Sequence, residues 1–536
     1  MFSPKKSVLF LCAALPLFAA AVDYSAEGKL WWAHIRFLAD DKLAGRDIGT
    51  PEFQMAVRYV SREFHKLGLK PAGTNGYLQP IQFESRTLVP AQSKLTLRRD
   101  GKEEELALGA DANLSPRADP APKLEAPMVF VGYGLAIPEA HWDELSGLDL
   151  KGRIAVYVNA PGPAETSANV KSHLGSPAER WRVLHAAGAV GIATLPVGGR
   201  GAQPPAAAGS GRRDMPPQPS ISLADPQLSE TTGLQVSLTV TPRGADKLFA
   251  GSGHNFAEIQ TLAMHNMPLP HFPLTGTLVS QASIERGTLE SPNVVGMAPG
   301  SGKSKDEYVI LSAHLDHVGV GRPVNGDSIY NGAMDDASGI ATIIEVARLL
   351  KDSRFRLRRS VIFLAVTAEE KGELGSRYFA AHPTVPFKQI VADINLDMFL
   401  PLYPLKVIEV QGLMESTLGE TVKAAAAADG VDVQPDQEPA ENRFIRSDQY
   451  SFIRRGVPAL AFKFGYLPGS PDETTRKNWV RDRYHKPSDD LSQPVDTAAA
   501  AKFDRIILRL MEMVANDAAR PEWRQDSFFK RFAAEP

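Results

Sequence analysis

Three apolar stretches in the second half of the chain constrain its fold more than any other feature. Residues 308–313 (YVILSA), 360–366 (SVIFLAV) and 390–396 (IVADINL) are nearly continuous runs of apolar, largely β-branched residues. Such runs are typical of strands that a parallel sheet buries on both faces. Between the first two runs, apolar residues recur at helical spacing across 335–352, which predicts a right-handed strand–helix–strand crossover. The sequence therefore predicts an α/β fold with a mostly parallel mixed sheet flanked by helices.

Short polar segments stand at the ends of these runs. AHLDH (313–317), TAEEKGELGS (367–376) and NLDM (395–398) each follow one run, and GAMDDASG (332–339) leads into the crossover helix. In an open parallel sheet the ligand crevice lies outside the carboxyl ends of the strands. We therefore expect these segments to meet at one edge of the sheet, together with YHKPSDD (484–490) from further along the chain.

The residue types in these segments match the ligand requirements of two divalent metal ions. A metal pair needs one shared carboxylate and, for each ion, a further carboxylate, an imidazole and an open position for water. His314, Asp335 and Asp397 would serve one ion. Asp335, Glu370 and His485 would serve the other. The sequence thus predicts a dinuclear site built from five side chains.

Glu369 is left outside this ligand set although it adjoins Glu370. An uncoordinated carboxylate beside a metal-activated water is what a hydrolase needs as its general base, so we interpret Glu369 as that base. Asp316 stands two residues after His314. We expect its carboxylate to accept a hydrogen bond from the imidazole, because such a partner usually fixes the tautomer of a metal-bound histidine.

Four other titratable residues lie near the motifs without a required part in the chemistry, namely His317, Glu373, His382 and Asp336. We interpret His317, Glu373 and His382 as structural residues, because the two ligand sets are complete without them.

The order of the motifs resembles the dinuclear-zinc aminopeptidase family, which includes bacterial leucyl-type aminopeptidases and, more distantly, glutamate carboxypeptidase. The family order is His-x-Asp, Gly-Ala-x-Asp-Asp-x-Ser-Gly, Glu-Glu, Asp and His, and this chain matches each step. SDQYSFIRRGVPAL (447–460) also resembles a stretch of the family whose role we interpret as mainly structural.

The resemblance implies two zinc ions per chain, bridged by Asp335, a cis peptide between Asp335 and Asp336, and Glu369 as the general base. Tyr484 matches a position where some members place a phenol that stabilises the oxyanion. Mn²⁺ or Co²⁺ are suitable substitutes for zinc, because histidine and carboxylate sites also accept these ions. The expected activity is hydrolysis of the N-terminal peptide bond of peptide substrates. The formal net charge of −3 gives no indication of a nucleic-acid partner.

Three alternatives within the same fold stay open. A metallocarboxypeptidase uses this core with a basic pocket, for which Arg443 and Arg446 are candidates. Glutaminyl cyclase works with one metal, and a non-catalytic, receptor-like relative has lost ligands. The complete ligand set and the presence of Glu369 favour the aminopeptidase over these last two.

The N-terminus predicts export. Lys5 and Lys6 precede an apolar run, residues 8–21, that ends in three alanines, which is the pattern of a signal peptide over residues 1–21. A membrane-spanning helix needs ~20 apolar residues, so we expect no stable membrane anchor after cleavage. Cys12 is the single cysteine and lies inside this segment, so the mature chain has no disulfide. The expected location is the periplasm or the extracellular medium.

The chain has 536 residues, which is too long for one ordinary domain. Residues 22–125 and 271–520 are predicted to form the peptidase domain. Residues 126–270 contain short strands around a helix and resemble the protease-associated domain inserted in many secreted members of the family. The Gly-, Pro- and Ala-rich segment 197–219 is predicted to be a loop of this insertion, and residues 521–536 a C-terminal tail.

Overall fold

The computed structural model describes residues 23–197, 219–353 and 355–534. The predicted signal peptide lies outside these residues, and so does nearly all of the predicted loop at 197–219. Within the described residues, no helix combines the length and the apolar character that are needed to cross a membrane.

Twelve α-helices lie in the described residues. The last of them begins after Asp496, whose carboxylate accepts a hydrogen bond from the N–H of Ala499 and so caps the helix. In chain order the helices are α1 (Tyr24–Leu38), α2 (Pro51–Leu67), α3 (Ala168–Leu174), α4 (Pro177–Ala186), α5 (Pro242–Phe249), α6 (Phe256–Met264), α7 (Ala337–Ser353), α8 (Leu374–Ala381), α9 (Leu418–Ala427), α10 (Gln449–Ile453), α11 (Pro471–Asp482) and α12 (Thr497–Asn516).

The strands of the described residues form two large sheets and two short hairpins. In chain order they are β1 (Lys70–Pro71), β2 (Leu78–Leu88), β3 (Lys94–Arg99), β4 (Lys102–Leu106), β5 (Ala112–Leu114), β6 (Lys123–Val131), β7 (Ala136–Ile137), β8 (Trp142–Asp143), β9 (Ile154–Val158), β10 (Gly191–Leu195), β11 (Ser220–Leu223), β12 (Val236–Val240), β13 (His271–Gln281), β14 (Ile284–Ala298), β15 (Tyr308–His314), β16 (Gly319–Val324), β17 (Asp327–Tyr330), β18 (Ser360–Val366), β19 (Ile390–Asn395), β20 (Val407–Gln411), β21 (Asp432–Pro435) and β22 (Ala459–Phe464).

The larger sheet has the strand order β11-β2-β14-β18-β15-β19-β22-β20-β21, and β1 pairs with β14. Its centre is parallel. Strand β15 pairs in parallel with β18 on one side and with β19 on the other, and β19 pairs in parallel with β22. Antiparallel pairs flank this centre, β14 with β18 on one side and β20 with β22 on the other. The three apolar runs form β15, β18 and β19, which are almost entirely buried. The predicted α/β fold with a mixed sheet is therefore confirmed, with antiparallel strands around the parallel centre.

Helices cover both faces of the larger sheet. Successive residues of a strand point to opposite faces, and β18 shows the consequence. Phe363 packs in the core that contains Trp31 of α1 and Ile340 of α7, whereas Ile362 packs with Phe379 of α8 on the other face. The continuous apolar run in β18 is thus explained by helices on both sides.

The smaller sheet has eight strands in the order β4-β3-β13-β6-β9-β10-β12-β5. It includes β3, β4 and β5, which precede the predicted domain border at residue 126, and β13, which follows the border at residue 270. Strand β11 pairs instead with β2 of the larger sheet. The sheet therefore runs beyond both predicted borders, because short alternating strands such as β3 are compatible with either sheet.

The C-terminal tail packs against the peptidase part of the chain. Trp523 and Phe529 of the tail join a buried cluster with Phe444 and Ile453. The sequence predicts no structure for the tail, because its aromatic residues have no helical or strand period. In the structure these aromatic side chains support residues 443–448, a segment that reaches the site described next.

Candidate active site

The parallel strands at the centre of the larger sheet end together. Strand β15 ends at His314, which pairs with Val366 at the end of β18. Strand β19 ends at Asn395, beside Ser312 of β15. The polar segments that follow these strands therefore leave the sheet at one edge, where the loop before α7 adds Asp335.

Three of the predicted ligands form a first group at the end of β15. His314 Nε2 lies 3.2 Å from Asp335 Oδ1 and 3.8 Å from Asp397 Oδ1. Ligand atoms about 2.0–2.2 Å from one zinc ion are roughly 3–4 Å from each other. The spacing of this group therefore suits a single ion held between the three side chains.

A second group shares Asp335 with the first. His485 Nε2 lies 3.2 Å from Asp335 Oδ2 and 3.1 Å from Glu370 Oε2. The two oxygens of Asp335 thus face different groups, Oδ1 towards His314 and Oδ2 towards His485. A bridging carboxylate needs this arrangement, and the structure brings all five predicted ligands together in it.

His317, interpreted from sequence as a structural residue, lies inside the second group. Its Nδ1 is 2.8 Å from Glu370 Oε1 and 4.0 Å from Asp335 Oδ2, and its side chain is fully buried. With Asp335 and Glu370 it forms a further set of three ligand-type atoms within 4.8 Å of one another. The signal in the sequence is the second histidine of AHLDH. It carries little weight there, because five other residues already complete two ligand sets.

The buried polar atoms of the second group fit a cation. Within the described part of the chain, Oδ2 of Asp335, Oε1 of Glu370 and both ring nitrogens of His317 are buried and make no hydrogen bond of good geometry, although Nδ1 of His317 lies 2.8 Å from Glu370 Oε1 and Nε2 of His485 lies 3.2 Å from Asp335 Oδ2. Such atoms almost always have a partner in proteins, because leaving one unpaired costs about 1–3 kcal/mol. Imidazole nitrogens and carboxylate oxygens are ligands of zinc and similar divalent ions. The residues therefore fit the metal that the motifs imply.

Glu369 lines a cavity of about 230 Å³ together with Asp335 and Asp397, and it belongs to neither ligand group. Burial raises the pKa of Glu369 well above its usual value, while His314 lowers it and the neighbouring Glu370 raises it. A carboxylate in this position can accept a proton next to the ligand groups, as a general base requires.

Asp316 holds the turn at Glu369 and Glu370, and its carboxylate does not contact the His314 ring. Its Oδ1 accepts a hydrogen bond from the N–H of Glu369 (3.1 Å), and its Oδ2 accepts one from the N–H of Glu370 (3.3 Å). His314 Nδ1 instead lies 2.9 Å from the backbone carbonyl oxygen of Asp316. The predicted hydrogen bond between the Asp316 carboxylate and the His314 ring is therefore wrong. The carboxylate accepts hydrogen bonds from the two N–H groups after β18, and the backbone carbonyl of Asp316 orients the imidazole.

Asp336 ties three segments of the site together. Its carboxylate accepts hydrogen bonds from the N–H groups of His314 (3.3 Å), Gly339 (2.9 Å) and Met398 (3.1 Å). The peptide between Asp335 and Asp336 is cis, as the resemblance implies. Asp336 therefore fixes the backbone on which the candidate ligands stand.

Two further buried residues, for which the sequence gives no signal, also hold this backbone. Asp489 accepts hydrogen bonds from the N–H groups of Met334 (2.9 Å) and Asp335 (3.1 Å). Arg46 lies in a turn that the sequence does not connect with the site, and all of its hydrogen bonds go to backbone carbonyls. These carbonyls belong to Leu38, Leu315, Asn331 and Gly332.

Tyr484 lies against the second group. Its ring stacks on His485 with the centroids 3.9 Å apart, and the side chain lines the same cavity as Glu369. Burial raises the pKa of Tyr484, so its hydroxyl stays protonated at neutral pH and can donate a hydrogen bond. This placement fits the predicted part of a phenol in oxyanion stabilisation.

Comparisons with known proteins agree with the motifs. Residues 293–511 match the model of peptidase family M28. A probable zinc metalloprotease of Pyrenophora teres f. teres is 26% identical over 244 residues, which is 42% of this chain and 49% of that protein. Carboxypeptidase Q of Xenopus laevis is 30% identical over 126 residues, which is 23% of this chain and 25% of that protein. The chain thus spans about half or less of the length of these curated relatives.

The fold is also found among solved structures. The aminopeptidase from Aneurinibacillus sp. strain AM-1 superposes with a TM-score of 0.54 at 21% identity, over 91% of this chain and 94% of that one. The likeness therefore extends over both sheets. The resemblance stated from the motifs is confirmed, since residues 293–511, which carry every candidate ligand and Glu369, match the model of peptidase family M28.

Proposed function

We propose that this protein is an exported dinuclear zinc aminopeptidase that hydrolyses the N-terminal peptide bond of peptides. The observation that carries the proposal is the pair of ligand groups sharing Asp335, with Glu369 outside both groups in the same cavity. The match to peptidase family M28 supports it. One ion would be held by His314, Asp335 and Asp397, and the other by Asp335, Glu370 and His485, with His317 as a further candidate ligand.

The side chains divide the chemistry between them. Bound zinc ions would supply Lewis-acid activation of water and of the scissile carbonyl. Glu369 takes the proton from the attacking water and returns it to the leaving amine. Asp316 keeps Glu369 in place through the N–H groups of Glu369 and Glu370. Tyr484 donates its hydroxyl hydrogen bond to the developing oxyanion.

Export is part of the proposal and depends on residues 1–21 alone. The two lysines, the apolar run and the alanines before residue 22 support a cleaved signal peptide. Expression of the full chain in a Gram-negative host should yield a product in the periplasm or medium that begins near residue 22. An uncleaved product in the cytosol would contradict this part.

A panel of fluorogenic substrates tests the exopeptidase reaction. We expect hydrolysis of aminoacyl substrates with a free α-amino group and no hydrolysis of the same substrates after N-acylation. C-terminal substrates, blocked at the amino end and carrying a free carboxylate, form the third arm. Cleavage of blocked peptides alone would overturn the aminopeptidase proposal.

A carboxypeptidase is the second candidate, because Arg443 and Arg446 line the cavity that holds Glu369. A relative named carboxypeptidase Q also matches part of the chain. Turnover confined to the third arm of the panel would favour this candidate over the aminopeptidase.

Metal content gives a separate prediction. Elemental analysis of the purified protein should find two zinc ions per chain, and one ion would favour the cyclase alternative. We expect His317→Ala to retain less metal after dialysis than the unchanged protein, because His317 lies 2.8 Å from Glu370. His382→Ala is the matched control, since His382 is 46% exposed and pairs with Asp225 away from the ligand groups. Equal retention in the two variants would remove His317 from the ligand set.

A further inference from the structure

The cavity beside the ligand groups has a wall rich in nitrogen donors. Besides Asp335, Glu369 and Asp397, its lining includes Arg443 and Lys463. The other donors of the wall are Arg446, Gln411 and Gln449, and its main apolar members are Met398, Ala461 and Val480. An apolar substrate side chain would therefore cover several donors in this cavity.

Two of these donors are buried and unpaired. Within the described residues, Nη1 of Arg443 and Nε2 of Gln411 have no hydrogen-bond partner. The Gln411 side chain lies at the end of β20, and the residue is only 2% exposed. Arg443 donates through Nη2 to Glu438 at 3.0 Å, so only one side of its guanidinium fork is occupied. Buried donors without partners indicate a group that binds there.

Lys463 adds a buried positive charge to the same wall. Its ammonium donates to the carbonyl oxygens of Asp397 (2.6 Å) and Met398 (3.0 Å), which carry no net charge.

The described carboxylates that line the cavity leave Nη1 of Arg443 and Nε2 of Gln411 unpaired. Glu441 also lines the cavity, and its backbone carbonyl accepts a hydrogen bond from Arg446 Nη1 at 3.3 Å. Of the carboxylates that line the cavity, Asp335 and Asp397 belong to the ligand groups, which leaves Glu369 and Glu441 beside the cations Arg443, Arg446 and Lys463. The wall is therefore complementary to an anion that can accept two hydrogen bonds.

We propose that this wall binds a carboxylate of the substrate through Arg443 and Gln411, with Lys463 supplying charge. The inference deepens the proposed function and rests on it. A planar carboxylate presents two acceptors to a guanidinium fork, and hydrogen bonds between charged groups are stronger than neutral ones. The carboxylate comes either from an acidic side chain of the N-terminal residue or from the C-terminus of a dipeptide.

Matched substrates separate these two sources in the zinc-loaded wild-type enzyme. The first pair is glutamyl and glutaminyl aminomethylcoumarin amide, which differ only in a side-chain carboxylate or amide. The second pair is leucylglycine and leucylglycinamide, which differ only in a C-terminal carboxylate or amide. We expect kcat/KM to be about 10- to 100-fold higher for the carboxylate member of one pair. The pair that shows the preference identifies the source. A ratio near one or below in both pairs would overturn the inference, while continued turnover of leucyl aminomethylcoumarin amide would leave the aminopeptidase proposal intact.

Variants test the named residues. Arg443→Gln should reduce the carboxylate-to-amide ratio of kcat/KM by about 10-fold or more. Arg182→Gln is the matched control, because Arg182 is 64% exposed in the smaller-sheet part of the chain, and its ratio should equal that of the wild type. A ratio unchanged by Arg443→Gln would remove Arg443 from the proposal.

Binding without turnover gives an independent readout. Calorimetric titration of the zinc-loaded wild type with L-glutamate and L-glutamine compares ligands that present the same α-amino and α-carboxylate groups. For a side-chain carboxylate site, glutamate should bind about 10-fold more tightly than glutamine. Leucylglycine against leucylglycinamide, titrated into the zinc-loaded Glu369→Gln variant so that neither is hydrolysed, tests the C-terminal source in the same way. Equal affinities in both comparisons would contradict the inference. A lack of hydrolysis of every tested substrate would contradict the proposed function instead, and the affinities would still test the inference.

Discussion

Glu369→Gln is expected to remove nearly all peptide hydrolysis while both metal sites stay occupied. The amide keeps the shape of the side chain but cannot accept a proton, so kcat should fall by about 10²- to 10⁴-fold. Glu369 belongs to neither ligand group, and metal content should therefore stay equal to that of the wild type. Steady-state kinetics and elemental analysis on the same preparation measure both quantities.

Glu373→Gln is the matched control for this experiment. Glu373 lies four residues later and does not line the cavity. Burial raises the pKa of Glu373 to about 8, so the residue is largely neutral at pH 7 and the amide is a close substitute. We expect activity within a factor of about three of the wild type. An active Glu369→Gln enzyme, or an equal loss in both variants, would contradict the assignment of the base.

The candidate ligands could be predicted because parallel strands connect sequence position to place in the fold. His314, Glu370 and Asp397 each stand within a few residues of the end of a buried apolar run. The ends of these runs meet at one edge of the sheet. The position of Asp335 could be predicted because it lies just before the crossover helix α7, and that helix must begin at the same edge of the sheet. Residue type and strand topology were therefore sufficient for these positions.

The residues that hold the site through backbone groups could not be predicted in this way. Arg46 reaches the carbonyls of Leu315 and Asn331, which lie 269 and 285 positions later in the chain. Every residue has a backbone carbonyl, and nearly every residue has an N–H group, so such contacts leave no pattern in the sequence. The same reasoning explains Asp316, whose carboxylate binds two N–H groups where the sequence predicts an imidazole.

The extent of the smaller sheet could not be predicted, for a different reason. Strands β3 to β5 are short, and β13 continues almost directly into β14 of the larger sheet. Alternation of apolar and polar residues predicts a strand but does not indicate which sheet the strand joins. Long-range pairing, such as that of β13 with β3 and β6, decides the assignment.

Arg46→Met is expected to lower the free energy of unfolding by about 4 kcal/mol, because it leaves four buried carbonyls without their donor. Arg46 is fully buried, and its shortest hydrogen bonds, to Leu38 and Asn331, are 2.6 Å long. Burial lowers the pKa of Arg46 to about 10, although the charges of Asp489 and other nearby carboxylates act to raise it. The guanidinium therefore stays charged at neutral pH and offsets the negative charge of the metal-site carboxylates.

Two further substitutions separate the donors of Arg46 from its charge. Arg46→Lys keeps the charge but replaces a planar fork by a single ammonium, so we expect a loss of about 2 kcal/mol. Arg62→Met is the surface control, since Arg62 is 56% exposed on α2, and its effect should stay within about 0.5 kcal/mol. Urea unfolding followed by tryptophan fluorescence measures the free energies.

Amide hydrogen exchange around Leu315 and Asn331 should rise in Arg46→Met, because the loops that carry His314 and Asp335 lose the guanidinium that joins them. Unchanged exchange at both positions would show that Asp336 and Asp489 hold the site without Arg46.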